Sequence, residues 1–107
     1  MRVAGIDRIL REFRQGVEEI YGPRLLRVVL FGSQARDDAE DGSDIDVMLV
    51  LEGEVNPLEE IEKMSSFTGA LSLKYDVLVS CVYMPEERFQ REQSPLMLNV
   101  RREGVLV

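Results

Sequence analysis

Phe31-Gly32-Ser33-Gln34-Ala35-Arg36, then a polar loop, then Ser43-Asp44-Ile45-Asp46: this stretch decides how the other residues of the 107-residue chain are read. The apolar run Arg27-Val28-Val29-Leu30-Phe31 ends in Gly32-Ser33, a strand running into a turn of small residues. After the loop Gln34 to Ser43, a second apolar run opens with two carboxylates at i and i+2. Side chains alternate along a strand. Asp44 and Asp46 therefore point the same way, and Ile45 and Val47 enter the opposite layer. Two carboxylates held so close repel, at a cost that a divalent cation removes. A turn of small residues beside them gives backbone N–H groups room to approach an anion. A phosphate cradle next to paired metal carboxylates is what chemistry on a nucleoside triphosphate requires.

Outward from this stretch, the composition narrows the field. The length predicts one domain, residues 1–107, with a core that buries roughly two-thirds of the unfolded surface. It leaves no expected room for a catalytic domain plus a separate acceptor-binding lobe. Lys and Arg number 13 against 20 Asp and Glu, a formal charge of −7. That argues against direct non-specific nucleic-acid binding, which needs a basic face, and leaves room for a basic protein partner. Histidine is absent and cysteine occurs once. Ser-His-Asp catalysis, Cys-His catalysis and His-ligated zinc are excluded, and any metal site must be oxygen-ligated, which suits Mg²⁺ or Mn²⁺. A single cysteine, the absence of an apolar run of membrane-spanning length and the start Met-Arg-Val-Ala-Gly predict a cytoplasmic protein with no membrane contact.

Periodicity predicts the elements. Ile6, Ile9, Leu10, Phe13, Val17, Ile20 and Tyr21 recur at helical spacing, and Gly22-Pro23 terminates that helix. Leu25 to Phe31 and Ile45 to Leu51 read as strands buried on nearly both faces. Asn56 can cap a second helix, with Pro57 at its first position and Glu59 in a capping-box-like pair. That helix is expected to run to about Leu73, burying Leu58, Ile61, Met64, Ser65, Thr68 and Leu71. Tyr75 to Val82 is the expected third strand, with Asp76, Leu78, Ser80 and Val82 on one face. Cys81, facing the other way with Val77 and Val79, reads as a small buried apolar residue rather than a nucleophile. Lys74 and Tyr75 read as strand-entry residues, and Arg88 to Glu92 as a solvated or partner-contacting run. Ser94-Pro95 opens a last helix to about Glu103, Gly104 closes it, and Val105-Leu106-Val107 is a short strand or a packed tail. The order α-β-β-α-β-α predicts an α/β (α+β) fold, a small mixed sheet with helices packed on one side.

Phe31-Gly32-Ser33, a loop, and Asp44-Ile45-Asp46-Val47 resemble the signature of the polymerase-beta-like nucleotidyltransferase superfamily. Gly32-Ser33-Gln34-Ala35-Arg36 with Ser43-Asp44-Ile45-Asp46 resembles more closely its minimal nucleotidyltransferase (MNT) branch. One position departs: the branch usually has Gly after the Arg, and this chain has Asp37 in a loop that also carries Asp38, Glu40 and Asp41. The resemblance implies the nucleotidyltransferase fold and ATP as substrate, with Asp44 and Asp46 holding the metal that bridges the triphosphate. It also implies a third carboxylate on a later strand. Asp76 is the candidate, to share a second metal or accept a proton. Gly32 and Ser33 would cradle phosphate, and Ser43 shapes the loop before Asp44. Arg36 either touches the triphosphate or pairs with a local acid. The reaction implied is attack on the α-phosphate with pyrophosphate leaving, most often as adenylyl transfer.

Single-domain MNT proteins are commonly antitoxins paired with helical HEPN toxins, which implies such a partner for this chain. Two other readings stand beside this one: a binding module that silences a partner by occlusion, motivated by Asp37 and the acidic loop, and a small-molecule nucleotidyltransferase. Homo-oligomerisation stays open.

Overall fold

The structure, a computed structural model, describes residues 5–32, 35 and 44–107. Helix α1 spans Ile6–Tyr21 and passes through a single 3₁₀ turn, Gly22–Arg24, into strand β1, Leu25–Phe31. Strand β2 is Ile45–Leu51, helix α2 is Pro57–Tyr75 and strand β3 is Val79–Pro85. Helices α3, Glu86–Arg91, and α4, Pro95–Glu103, follow, and strand β4, Val105–Leu106, ends the order. No helix among the described residues is long and apolar enough to cross a membrane.

The sheet runs β3-β2-β1-β4. β1 is antiparallel to β2 and to β4, and β2 is parallel to β3. A parallel pair needs a crossover connection, and α2 supplies it. The pattern of β2 explains its central place: Ile45, Val47, Met48, Leu49, Val50 and Leu51 are all buried, so both faces are covered. On one face Ile45, Val47, Leu49 and Leu51 meet Ile9, Phe13 and Val17 of α1 and Met64 and Leu71 of α2. On the other, Val29, Met48, Val50 and Met84 meet Met97 and Val100 of α4. The two long helices thus share one side as expected, while the short α4 roofs the other. A sheet apolar on both faces cannot leave one of them to water.

α1 and α2 touch where Gly16 leaves space for the ring of Phe67, which also stacks near Phe13 with centroids 5.9 Å apart. A side chain at Gly16 would overlap that ring. The far end of the contact is tied by Glu12, which accepts from Lys74 Nζ at 2.6 Å and from the Tyr75 hydroxyl. These bonds hold Lys74 and Tyr75 on the helix, so α2 continues past Leu73 and β3 starts later than the expected Tyr75. The expected inward face of α2 is corrected in the same way. Met64 and Leu71 are buried, but Leu58 and Ile61 are exposed, and Glu60 lies inside. Several apolar residues lie on more than one side of this helix, and packing against α1 chose among them. Arg88 to Glu92, expected as a solvated or partner-contacting run, is largely exposed and lies mostly in α3, whose first-turn acids and last-turn bases suit a helix dipole.

Candidate active site

The site forms at the end of the sheet where β1 stops and β2 and β3 begin. Asp46 lies on β2 in register with Phe31 of β1 and Ser80 of β3. Paired residues of neighbouring strands share a face, so Asp46 belongs to the face that α4 covers further along. Asp44 is exposed just ahead of the strand, and Asp46 is half-buried. The Asp46 carboxyl is pushed above its ordinary range, first by burial and then by the neighbouring charge of Asp44. Among the described residues, the neighbour that contributes to this shift is Asp44. Asp44 and Asp46 thus act on each other as like charges, as expected for carboxylates at i and i+2.

Gly32 presses against this pair. Its φ is +73°, a conformation that L side chains rarely adopt. A Cβ at Gly32 would lie 2.6 Å from Asp46 Oδ2. Gly32 thus answers two demands at once, a left-handed backbone and a close approach to a carboxylate. Its carbonyl accepts from the Ala35 N–H at 3.1 Å, the start of the turn after the strand. Ser33, Arg36 and Ser43, expected around the phosphates, lie outside the described residues, as does the acidic loop with Asp37.

Asp76 is not on a strand. It is the C-cap of α2, with φ +53° and ψ +47°, and its N–H donates to the Ser72 carbonyl. Among non-glycine residues, Asp and Asn tolerate this left-handed position best, which gives Asp76 a structural reason to be there. It stands at the same end of the sheet as the pair. It ends a helix that packs on the opposite face, however, and β3 begins only at Val79. Among the described residues no group of three Asp, Glu, Cys or His side chains is placed to hold a metal. Asp44, Asp46 and Gly32 lie together at the start of β2, whereas Asp76 stands on a helix cap ahead of β3 rather than on the strand expected for it. Ser80, which the sequence places on the expected face with Asp76 and Val82 but gives no role, is the β3 residue in register with Asp46.

The donor set suits a divalent cation: two carboxylates on one side, mutually repelling, beside a glycine that keeps the approach open. A cleft of about 1520 Å³ lies at the opposite end of the sheet, lined by Arg24, Glu52, Asn56, Glu60, Tyr83 and Arg91 among others. Its buried acid is already paired. Glu60 accepts from the Tyr21 hydroxyl at 3.0 Å and from the Asn56 N–H at 3.1 Å. Glu60, rather than the expected Glu59, completes the cap of α2. That cleft has the chemistry of a structural joint.

The sequence and the fold are shared with known proteins. MJ0141 of Methanocaldococcus jannaschii, named as a protein adenylyltransferase, is 40% identical over 75 residues, 70% of this chain and 75% of that protein. MJ0604 of the same organism, similarly named, is 30% identical over 99 residues, 92% of this chain and 93% of that protein. A crystal structure named as a nucleotidyltransferase from Sulfolobus solfataricus superposes with a TM-score of 0.61 at 29% identity, covering 92% of this chain and 78% of that one. The fold is also shared with a toxin–antitoxin structure with AMP-PNP, at TM-score 0.61 and 21% identity over 94% of this chain and 69% of that one. A further neighbour is a tri-AMPylated Shewanella oneidensis HEPN toxin in complex with its MNT antitoxin, at TM-score 0.52 and 17% identity over 92% of this chain and 70% of that one. With residues 10–102 matching the nucleotidyltransferase domain, the chain belongs to the nucleotidyltransferase family.

Proposed function

We propose that this nucleotidyltransferase moves AMP from ATP onto a hydroxyl of a protein partner, with Mg²⁺ or Mn²⁺ held by Asp44 and Asp46. The observation that carries the reading is the half-buried Asp46 beside Asp44, with Gly32, which has no side chain, closed against its carboxylate. A bound divalent cation would supply charge neutralisation for the triphosphate. The chain's own residues would do the rest. Asp44 and Asp46 set where the α-phosphate sits. Gly32 lets the backbone come close, and Ser33, Arg36 and Ser43 are the expected phosphate contacts. The acceptor oxygen bonds to the α-phosphorus as the bond to the bridging oxygen of pyrophosphate breaks, and the hydroxyl proton passes to solvent.

Support for a protein acceptor comes from the names of the two Methanocaldococcus relatives and from the AMPylated toxin in a structure of the same fold. The net charge of −7 favours encounter with a basic protein over a nucleic acid. The partner proposed is a helical HEPN-type toxin, with this chain as the antitoxin. The test is co-expression with such a partner and ATP labelled either at the α- or at the γ-phosphate. Label should reach the partner from the α position only, and only when Mg²⁺ or Mn²⁺ is present. A partner that is silenced with no label from either position would replace transfer by occlusion.

A further inference from the structure

Asp46 is flanked on both sides by known neighbours. On the β1 side stand Phe31, its register partner, and Gly32, which has no side chain. On the β3 side stands Ser80. β3 already lies alongside before its first strand residue, because the Ile45 N–H donates to the Leu78 carbonyl at 2.9 Å. By alternation, the β3 residues on the Asp46 face are Leu78, Ser80, Val82 and Met84. Leu78 is exposed, Val82 packs in the second core cluster and Met84 is buried. Ser80 is therefore the one polar side chain that the described parts of the flanking strands offer to Asp46. Strands stand about 4.8 Å apart, so a side chain at this position can share a ligand with Asp46.

The charge arithmetic decides what that sharing can be. Two carboxylates carry two negative charges, which one divalent cation balances. Two such cations in one centre stand about 3.5–4 Å apart and repel strongly, and beyond the phosphate oxygens of the nucleotide they need a further anionic oxygen from the protein to hold both. A hydroxyl is neutral and a poor substitute. We infer that Ser80 is the third residue of this site and sets its metal count, so that with a hydroxyl beside Asp46 the centre takes one divalent cation with the nucleotide and not two. This rests on Asp44 and Asp46 being cation ligands, as proposed above.

The experiment is equilibrium dialysis of the full chain against Mn²⁺ and an ATP analogue with a non-hydrolysable α–β bridge, counting both Mn²⁺ and nucleotide per chain. The wild-type chain and Ser80→Ala should each bind one Mn²⁺ per bound nucleotide, and Ser80→Asp should bind two. A count of two in the wild-type chain overturns the inference, whatever happens to the variants, and would point to a carboxylate from elsewhere. So does a count of one in a folded, nucleotide-binding Ser80→Asp, or loss of the single Mn²⁺ in Ser80→Ala, which would make the hydroxyl itself a ligand. If the wild-type chain binds nucleotide with no Mn²⁺ at all, the failure lies earlier, in the assignment of Asp44 and Asp46.

Discussion

Asp46 and Glu60 are two carboxylates withdrawn from water at opposite ends of one sheet, and their surroundings differ in kind. Glu60 is 2% exposed and accepts from Tyr21 and Asn56, with Arg24 and Lys63 at 4.0 and 3.9 Å. Asp46 is half-buried, and among the described residues the charge that acts on it is another carboxylate, Asp44. A buried acid that serves the fold is surrounded by donors, since an unpaired one is costly. An acid whose pKa is raised by burial and a like charge is a candidate for a site that binds something, the role proposed for Asp46. The difference separates structural from chemical carboxylates in a chain that has 20 acids to choose from.

The sharpest way to break this comparison is to neutralise each acid in turn. Asp46→Asn should lower adenylyl transfer by about 1,000-fold while the chain stays folded, since the variant loses a proposed cation ligand and no hydrogen bond given among the described residues. The check is the transfer rate beside a thermal melt. A variant that unfolds would show that the pair is part of the frame. Glu60→Ala should do the reverse. It strands the Tyr21 hydroxyl and the Asn56 N–H and should cost about 2–4 kcal/mol in denaturant unfolding, with transfer per folded molecule unchanged.

Gly32→Ala tests the contact that joins backbone to site. The left-handed φ and the overlap with Asp46 Oδ2 should together cost about 1–2 kcal/mol, and transfer should fall about tenfold as the carboxylate moves aside. Gly53→Ala, where φ is also positive but no atom lies within 4 Å, should show the strain without the loss of transfer.

The smallest effect is in pH dependence. Because the folded-state pKa of Asp46 lies above its unfolded value, its ionisation costs stability as pH rises between the two. The cost is complete above the folded pKa and absent below the unfolded one. In the metal-free chain Asp46→Asn should therefore be the more stable of the two at neutral pH, by a small amount because the group is only half-buried. That gain should vanish below the ordinary aspartate value of 3.8. Unfolding curves of the two proteins across this range make the check.

The parts of the fold that were legible in the sequence are those that short-range rules govern. Ile6 to Tyr21 has one apolar stripe and one stop signal, Gly22-Pro23, and α1 has those bounds. The apolar runs from Leu25 and Ile45 became β1 and β2 with the expected ends, and Ser94-Pro95 opened α4, with the Ser94 hydroxyl accepting from the Met97 N–H at 3.3 Å. α2 was harder. Its start was readable from Asn56 and Pro57, but its inward face was not, because Leu58, Ile61, Met64 and Leu71 do not define a single side. Asp76 was misplaced for a related reason: the bonds from Lys74 and Tyr75 to Glu12, which prolong the helix, come from α1, far away in the chain.

The sequence by itself determined the pair: Asp44 and Asp46 stand together because alternation on a strand is a local rule, and Gly32 ends β1 because a left-handed turn favours glycine. Only the tertiary structure decided which residue completes the neighbourhood. Register between parallel strands depends on the length and packing of the helix that joins them, and here α2 runs long enough to bring Ser80, not Asp76, beside Asp46. Likewise the roof of α4 over Met48 and Val50, and the burial of Glu60, follow from how layers meet. Short-range periodicity carries no information about which distant surface will cover a given face.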